Sequence, residues 1–102
     1  MITIIARFRM LPGKEVEAME ALKKMASAVE AEEPGALVYI VNRGRVNPLE
    51  ICVYEVYRDS EAAEAHRRTP HMREMQAAFA ETMDRASFSV ETLEQIAGFV
   101  RR

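Results

Sequence analysis

Two short runs rich in β-branched and aromatic residues constrain the fold more than any other part of this sequence. The runs are ALVYIV (residues 36–41) and LEICVYEVY (residues 49–57), and the segment NRGRVNP between them contains the turn formers Gly44 and Pro48. They predict a β-hairpin at the centre of a sheet. Apolar residues occupy both faces of these strands, so helices packed on one face would leave the other uncovered. The hairpin therefore predicts a sheet that packs against a second copy of itself.

The segments before and after the hairpin show strand and helix patterns. Residues 2–10 form an alternating, β-rich run that ends at a Pro-Gly turn, and residues 86–100 predict a last strand with a tail. Residues 14–33 carry apolar side chains at steps of three and four until a second Pro-Gly pair ends the predicted helix. The apolar stripe of this helix consists of Val16, Met19, Leu22, Ala26 and Val29.

Two further helices are predicted after the hairpin. A short helix begins at the cap candidates Asp59 and Ser60 and runs to His66. Thr69 followed by Pro70 is a typical helix opening and begins the next helix. The apolar stripe of that helix consists of Met72, Met75, Phe79 and Met83. The resulting order, β-α-β-β-α-α-β, predicts one α+β domain over residues 1–102 with a ferredoxin-like, four-stranded antiparallel sheet and helices on one face.

Charge and cysteine content exclude several classes of protein. The 102 residues carry a formal net charge of -2, so no excess of basic side chains is available to attract nucleic acid or acidic lipid. No apolar run approaches the roughly 20 residues that a membrane-spanning helix needs, and no signal peptide is visible. Cys52 is the only cysteine, which excludes an intrachain disulfide and a paired-cysteine zinc site. We expect a cytoplasmic protein that binds neither nucleic acid nor membrane.

The two histidines of the chain are the main candidates for chemistry. His66 and His71 lie five residues apart across the Thr-Pro break, shortly after a strand that carries Glu55. Histidine suits acid/base work because an unperturbed imidazole, with a pKa of about 6.5, is largely neutral at physiological pH. Each residue also has a structural interpretation, the histidines as hydrogen-bonded core residues and Glu55 as an ion-pair or dimer contact. This spacing matches no known metal signature, so we expect no bound metal.

The stretch YEVYRDSEAAEAHRRTPHM (residues 54–72) carries a resemblance to a known family. Together with IIARFRMLPGKE, EEPGALVYIV and the Asn47-Pro48 pair, it resembles the antibiotic biosynthesis monooxygenase family of dimeric α/β barrels. The resemblance covers about residues 1–97, and its specific element is YE-x-Y-x-D-x-x-A-x-x-x-H-x-x-T-P-H. It implies a homodimer in which two sheets close a barrel, with one pocket per subunit between sheet and helices.

The family spans several chemistries: oxidation of aromatic polyketides or quinols without a cofactor, haem breakdown, and processing of the phosphorylated autoinducer-2 signal. The haem-degrading and polyketide-oxidising branches rely on a tryptophan and an asparagine. This chain has no tryptophan, and Arg7 and Arg9 stand near the place of the first-strand asparagine of the haem-degrading branch. The quinol-oxidising and autoinducer-processing branches, which share the TPH element, are the closest.

We therefore expect a cofactor-independent monooxygenase that uses O2 on a small aromatic or quinol-like substrate and contains no cofactor. The predicted acid/base residues are His66 and His71, with Glu55 orienting one of them. The predicted substrate pocket contains Tyr57, Met72, Phe79 and Arg67.

Two alternatives stay open. The first is an isomerase-like enzyme acting on a phosphorylated small molecule, in which the helix N-terminus at Thr69 and Pro70 binds the phosphate. The arginines near that terminus are Arg67, Arg68 and Arg73. The second is a dimeric small-molecule binding protein without catalysis.

Overall fold

A computed structural model describes residues 1–101 and confirms the predicted order of elements. The elements are β1 (Ile2–Met10), α1 (Glu15–Glu32), β2 (Ala36–Arg43), β3 (Glu50–Tyr57), α2 (Ser60–Arg67), α3 (Pro70–Thr82) and β4 (Met83–Glu94). The four strands form one antiparallel sheet in the order β2-β3-β1-β4, which is the ferredoxin-like arrangement. None of the helices in residues 1–101 is long and apolar enough to cross a bilayer.

Helix α1 packs on the sheet through a different stripe from the predicted one. Its buried residues are Ala18, Leu22, Met25 and Val29. Val16, which the predicted stripe included, is 67% exposed. The observed stripe keeps the three- and four-residue spacing but places Ala18, with no exposed surface, against the sheet, where its small side chain permits close approach. The prediction of a helix was right, and its buried face was partly wrong.

The predicted caps of α2 and α3 are confirmed. The Asp59 carboxylate accepts a hydrogen bond from the Ala62 N–H at 2.8 Å, and the Thr69 hydroxyl accepts one from the Met72 N–H at 3.2 Å. Pro70 takes the first helical turn, where its missing N–H costs no hydrogen bond. Met83 was wrongly placed on the stripe of α3. It is the first residue of β4, because α3 passes directly into that strand, and it pairs with Met10 in the core.

A bulge of four residues on β4 interrupts the pairing of β4 with β1. Arg7 is opposite Ser89 and Arg9 is opposite Asp84, so a two-residue step on β1 corresponds to a five-residue step on β4. Ser87 secures the extra residues, because its hydroxyl accepts from the Arg9 N–H at 2.8 Å and donates to the Asp84 carbonyl at 2.6 Å. We call residues 85–88 the β4 bulge. It places the Phe88 ring over the helix-covered face of the sheet.

The face of the sheet opposite the helices carries accessible apolar side chains. Ile40 on β2 and Tyr54 on β3 are cross-strand partners, and Leu93 lies on the same face of β4. Their exposed fractions are 51%, 39% and 40%. This is the uncovered apolar face that the hairpin pattern predicts.

A close approach at Gly35 yields a test of the packing between the turn before β2 and helix α2. A Cβ on this buried glycine would lie 2.7 Å from the Cβ of Ala62, well inside van der Waals contact. We expect Gly35→Ala to lower the free energy of unfolding by about 1–3 kcal/mol through overpacking. The measurement is the urea midpoint. Adding Ala62→Gly removes the opposing methyl and should recover part of the loss, whereas a fully stable single variant would contradict the close approach.

Candidate active site

A largely apolar cavity of about 490 Å³ lies between the helix-covered face of the sheet and helices α2 and α3. Its apolar wall includes Ile4, Ala6, Phe8, Val53, Met72, Met75, Phe79, Phe88 and Val90. The polar residues that line it are Tyr39, Glu55, His66, Arg67, Gln76 and Arg85. A concave apolar space with a few polar groups is the usual form of a small-molecule site.

The carboxylate of Glu33 joins the two histidines. His66 Nδ1 lies 3.0 Å from each Glu33 oxygen, and His71 Nε2 lies 2.5 Å from Glu33 Oε2. All three side chains are largely buried, with exposed fractions of 5%, 9% and 11% for His66, Glu33 and His71. An ionised carboxylate only accepts hydrogen bonds, so this contact assigns the proton of neutral His66 to Nδ1 and leaves Nε2 as the acceptor.

Glu55 faces the other nitrogen of the His66 ring. Glu55 Oε1 lies 3.6 Å from His66 Nε2 and accepts a hydrogen bond from the Tyr57 hydroxyl at 2.6 Å. The ring of His66 packs against two tyrosines, with centroids 5.3 Å from Tyr57 and 5.9 Å from Tyr39. These contacts hold the imidazole with its acceptor nitrogen beside Glu55 on the cavity wall.

Burial changes the proton affinity of the polar groups around His66. Desolvation raises the pKa of Glu55 above its ordinary value, and the Tyr57 hydrogen bond and the neighbouring His66 oppose that rise only in part. Desolvation, followed by the charge of Glu55, also raises the pKa of Tyr39 and of Tyr57, so both phenols stay protonated at physiological pH. The cavity end near His66 therefore contains a carboxyl group that holds a proton more readily than an exposed one does.

The raised pKa of Glu55 gives a pH-dependent stability with a defined sign. Between the unfolded value near 4.5 and the higher folded value, the folded state binds more protons, so Glu55 stabilises the fold fully below about pH 4.5 and progressively less as the pH rises. Glu55→Gln removes this dependence. We expect its free energy of unfolding, relative to wild type, to increase between pH 5 and pH 8. Urea titrations at both pH values measure the change.

The exposed carboxylate of Glu50 on the same strand provides the matched control for this prediction. Glu50→Gln should show no increase in relative stability between the two pH values. A decrease for Glu55→Gln, or an equal increase for both variants, would contradict the assigned proton affinity.

The structure brings most of the predicted site residues together. His66, Glu55, Arg67, Met72 and Phe79 all line the cavity. His71 does not line it and reaches His66 only through Glu33. Their roles in binding and catalysis stay predictions.

Tyr57, which was predicted to lie in the substrate pocket, does not line the cavity. Its side chain has no exposed surface and packs with Ile4 and Ala63 beneath α2. It contributes to the site from behind the cavity wall, through its hydrogen bond to Glu55 and its ring contact with His66. The cause is the end position of Tyr57 on β3, where α2 covers the strand and closes that end of the cavity.

Glu33 is the main site residue that the sequence pattern does not reveal. It follows α1 as the capping residue, and the Pro-Gly pair after it indicates only the end of a helix. The sequence contains one weak signal, since EEPG belongs to the segments that carry the family resemblance. Tyr39 on β2 and Arg85 in the β4 bulge were also not assigned to the cavity.

The proposed phosphate site at the start of α3 has little structural support. The Thr69 hydroxyl already accepts from the Met72 N–H and donates to the His66 carbonyl at 2.9 Å. Arg68 and Arg73 do not line the cavity, and Arg67 lies 3.8 Å from Glu64. Within residues 1–101, no three His, Cys, Asp or Glu side chains are grouped so that they could hold a metal ion.

The fold agrees with what comparisons with known proteins show. Residues 1–78 match the model of the family described as antibiotic biosynthesis monooxygenase, and this chain belongs to that family. No curated protein matches the chain significantly.

Solved structures show the same fold. A Caulobacter crescentus protein provisionally named an antibiotic biosynthesis monooxygenase is 28% identical with a TM-score of 0.88, over 94% of this chain and 90% of that one. The Mycobacterium tuberculosis protein Rv0793 is 25% identical with a TM-score of 0.85, over 95% and 96% of the two chains. A Deinococcus radiodurans protein with the same provisional name as the first is 16% identical with a TM-score of 0.85, over 100% and 99%, and shows the fold alone.

Proposed function

We propose that this protein is a cofactor-independent monooxygenase acting on a small aromatic or quinol-like substrate, with His66 as the general base. The observation that carries the proposal is that contacts at both ring nitrogens fix the orientation of the His66 imidazole. Its Nδ1 lies 3.0 Å from Glu33 and its Nε2 lies 3.6 Å from Glu55, and both His66 and Glu55 line the cavity. The family membership and the names of the neighbouring structures support the monooxygenase class.

The proposed reaction begins with a proton transfer. His66 Nε2 takes the proton of a substrate hydroxyl, and the resulting imidazolium is stabilised by the Glu33 carboxylate. The phenolate gives one electron to O2, and the radical pair combines to form a carbon–oxygen bond in a substrate peroxide. Cleavage of the O–O bond leaves one oxygen atom in the product and releases the other as water. A hydroquinone plus O2 thus becomes a hydroxyquinone plus H2O, with the substrate supplying all electrons.

The division of labour between Glu33 and Glu55 supports this proposal. Glu33 contacts His66 Nδ1 at 3.0 Å, which leaves Nε2 as the nitrogen that can take a proton. Glu55, with its raised pKa, lies 3.6 Å from Nε2 and can return a proton to the peroxide when its O–O bond breaks. The apolar wall around them limits the contact of a bound phenolate with water, which slows protonation of the phenolate at carbon.

Oxygen consumption by metal-stripped protein tests the function. We expect enzyme-dependent O2 uptake with members of a panel of hydroquinones and hydroxyanthrones, and incorporation of one oxygen-18 atom per product from labelled O2. Added catalase should not lower the net uptake, because no free peroxide is formed. No uptake above the uncatalysed rate for any substrate would overturn the proposal. Uptake with full return as hydrogen peroxide would instead indicate an oxidase.

We also propose that the active form is a homodimer joined through the exposed sheet face around Ile40, Tyr54 and Leu93. Apolar area of this kind is costly to leave in water, and the helices cover only the other face. Light scattering at micromolar concentration should give twice the chain mass for the wild type and the monomer mass for Tyr54→Asp. Val46→Asp, at a fully exposed loop position, is the control and should remain dimeric. A monomeric wild type would contradict the dimer.

A further inference from the structure

The cavity has two chemically different ends, and the sheet register gives their separation. Glu55 on β3 is the cross-strand partner of Ile4, so Glu55 and the adjacent His66 mark one end of the cavity along β1. The β4 bulge lies opposite Phe8, four residues further along the same strand. At about 3.3 Å per residue, the two levels are roughly 13 Å apart. The cavity is therefore long enough for a two-ring aromatic molecule lying along β1.

An aromatic cluster forms the end of the cavity at the β4 bulge. The Phe88 ring stacks on Phe8 with centroids 4.7 Å apart and an interplanar angle of 16°. Phe79 from α3 lies 5.0 Å from Phe8 and 6.0 Å from Phe88. Such a surface favours the flat face of a further ring.

Arg85 is the charged residue at this end. It lines the cavity beside Phe88, and the Ser87 hydrogen bonds secure the bulge that carries it. Its neighbour Asp84 pairs with Arg9 at 3.8 Å, and no carboxylate in residues 1–101 forms an ion pair with Arg85. Arg67, the other arginine of the cavity, lies at the opposite end, 3.8 Å from Glu64. Its positive charge there opposes part of the rise in the pKa of Glu55.

We propose that Arg85 binds a carboxylate on the substrate, at the end of the aromatic system remote from the hydroxyl that faces His66. A guanidinium offers two parallel N–H donors that match a carboxylate, and the partly apolar surroundings strengthen the contact relative to water. The substrate class is thus a hydroxylated fused-ring aromatic acid. The orientation of the hydroxyl rests on the proposed function, whereas the carboxylate subsite rests on the cavity alone.

Three naphthalene probes test the subsite by fluorescence titration without any turnover. In 6-hydroxy-2-naphthoate the hydroxyl and carboxylate are at opposite ends, in 3-hydroxy-2-naphthoate they are adjacent, and 2-naphthol has no carboxylate. We expect 6-hydroxy-2-naphthoate to bind the wild type about 10-fold tighter than 2-naphthol, in line with a charge-assisted hydrogen bond at a partly exposed site. The affinity of 3-hydroxy-2-naphthoate should fall between these two, because its hydroxyl cannot reach His66 while its carboxylate contacts Arg85. Raising the salt concentration should reduce this preference.

Variants assign the preference to Arg85. Arg85→Gln should abolish it and leave the Kd of 2-naphthol unchanged, and Arg85→Lys should restore part of it. Arg73→Gln, an exposed arginine outside the cavity, is the control and should retain the full preference. Equal binding of the three probes to the wild type, or an unchanged preference in Arg85→Gln, would overturn the subsite.

The titration separates the subsite from the proposed function. A retained probe preference together with no O2 uptake on any substrate would overturn the oxygenase and support the subsite. Uptake without any probe preference would overturn the subsite and support the oxygenase.

Discussion

His66→Gln should lower kcat/KM for O2 uptake by about 1,000-fold, within the range that loss of a general base produces. Glutamine keeps a polar side chain of similar length but cannot take a proton from the substrate. His66 is the only one of the two histidines on the cavity wall, and its Nδ1 is already occupied by Glu33. Initial rates of O2 consumption, with circular dichroism to confirm folding, measure the effect.

His71→Gln is the comparison that assigns the base. His71 contacts Glu33 and does not line the cavity, so we expect a loss of only about 10-fold through poorer positioning of Glu33. A loss in His71→Gln that equals or exceeds the loss in His66→Gln would identify His71 as the base and contradict our assignment.

Glu33→Gln should lower kcat by about 100-fold while changing KM for the aromatic substrate much less. A neutral amide cannot stabilise the imidazolium that forms on His66. Its NH2 group also replaces one of the two carboxylate oxygens that accept hydrogen bonds from the histidines. The same change should alter the tautomer of His66, which nitrogen-15 NMR reports directly. The wild type should show the proton of neutral His66 on Nδ1, and the variant should show a mixture.

The neighbouring Glu32 makes the matched control for Glu33, because it is exposed and one residue away. Glu32→Gln should leave kcat and the His66 tautomer unchanged. An unchanged kcat in Glu33→Gln would contradict stabilisation of the His66 imidazolium by Glu33, and an unchanged tautomer would contradict the assigned hydrogen bond from Nδ1.

The order of elements could be read from the sequence because each element carries a local signal. Thr69 and Pro70 open α3 through short-range hydrogen bonding, and the Pro-Gly pair after α1 ends that helix. The buried face of α1 was harder, because several phases of a three- and four-residue pattern fit the same sequence. Packing on the sheet decides which face of α1 is buried, and it buries Ala18 while Val16 stays exposed.

The site could be predicted only where its members lie close in sequence. His66, His71 and Glu55 are within one motif, and their types suggested acid/base chemistry. Glu33 is 33 residues from His66, and only the packing of the α1 terminus against α2 brings the two within hydrogen-bond distance. Tyr57 shares a face with Glu55 by strand alternation, but its burial depends on how α2 covers the end of β3.

The β4 bulge separates substrate selection from the positioning of the acid/base residues, two tasks that a single regular strand would couple. Residues 85–88 face one position of β1, so their number and identity can change without shifting the register between Ile4 and Glu55. Evolution or a designer can thus vary the bulge to select a different substrate and keep the proton-transfer apparatus intact. A library confined to these four residues is therefore the economical starting point for new substrate preferences on this scaffold.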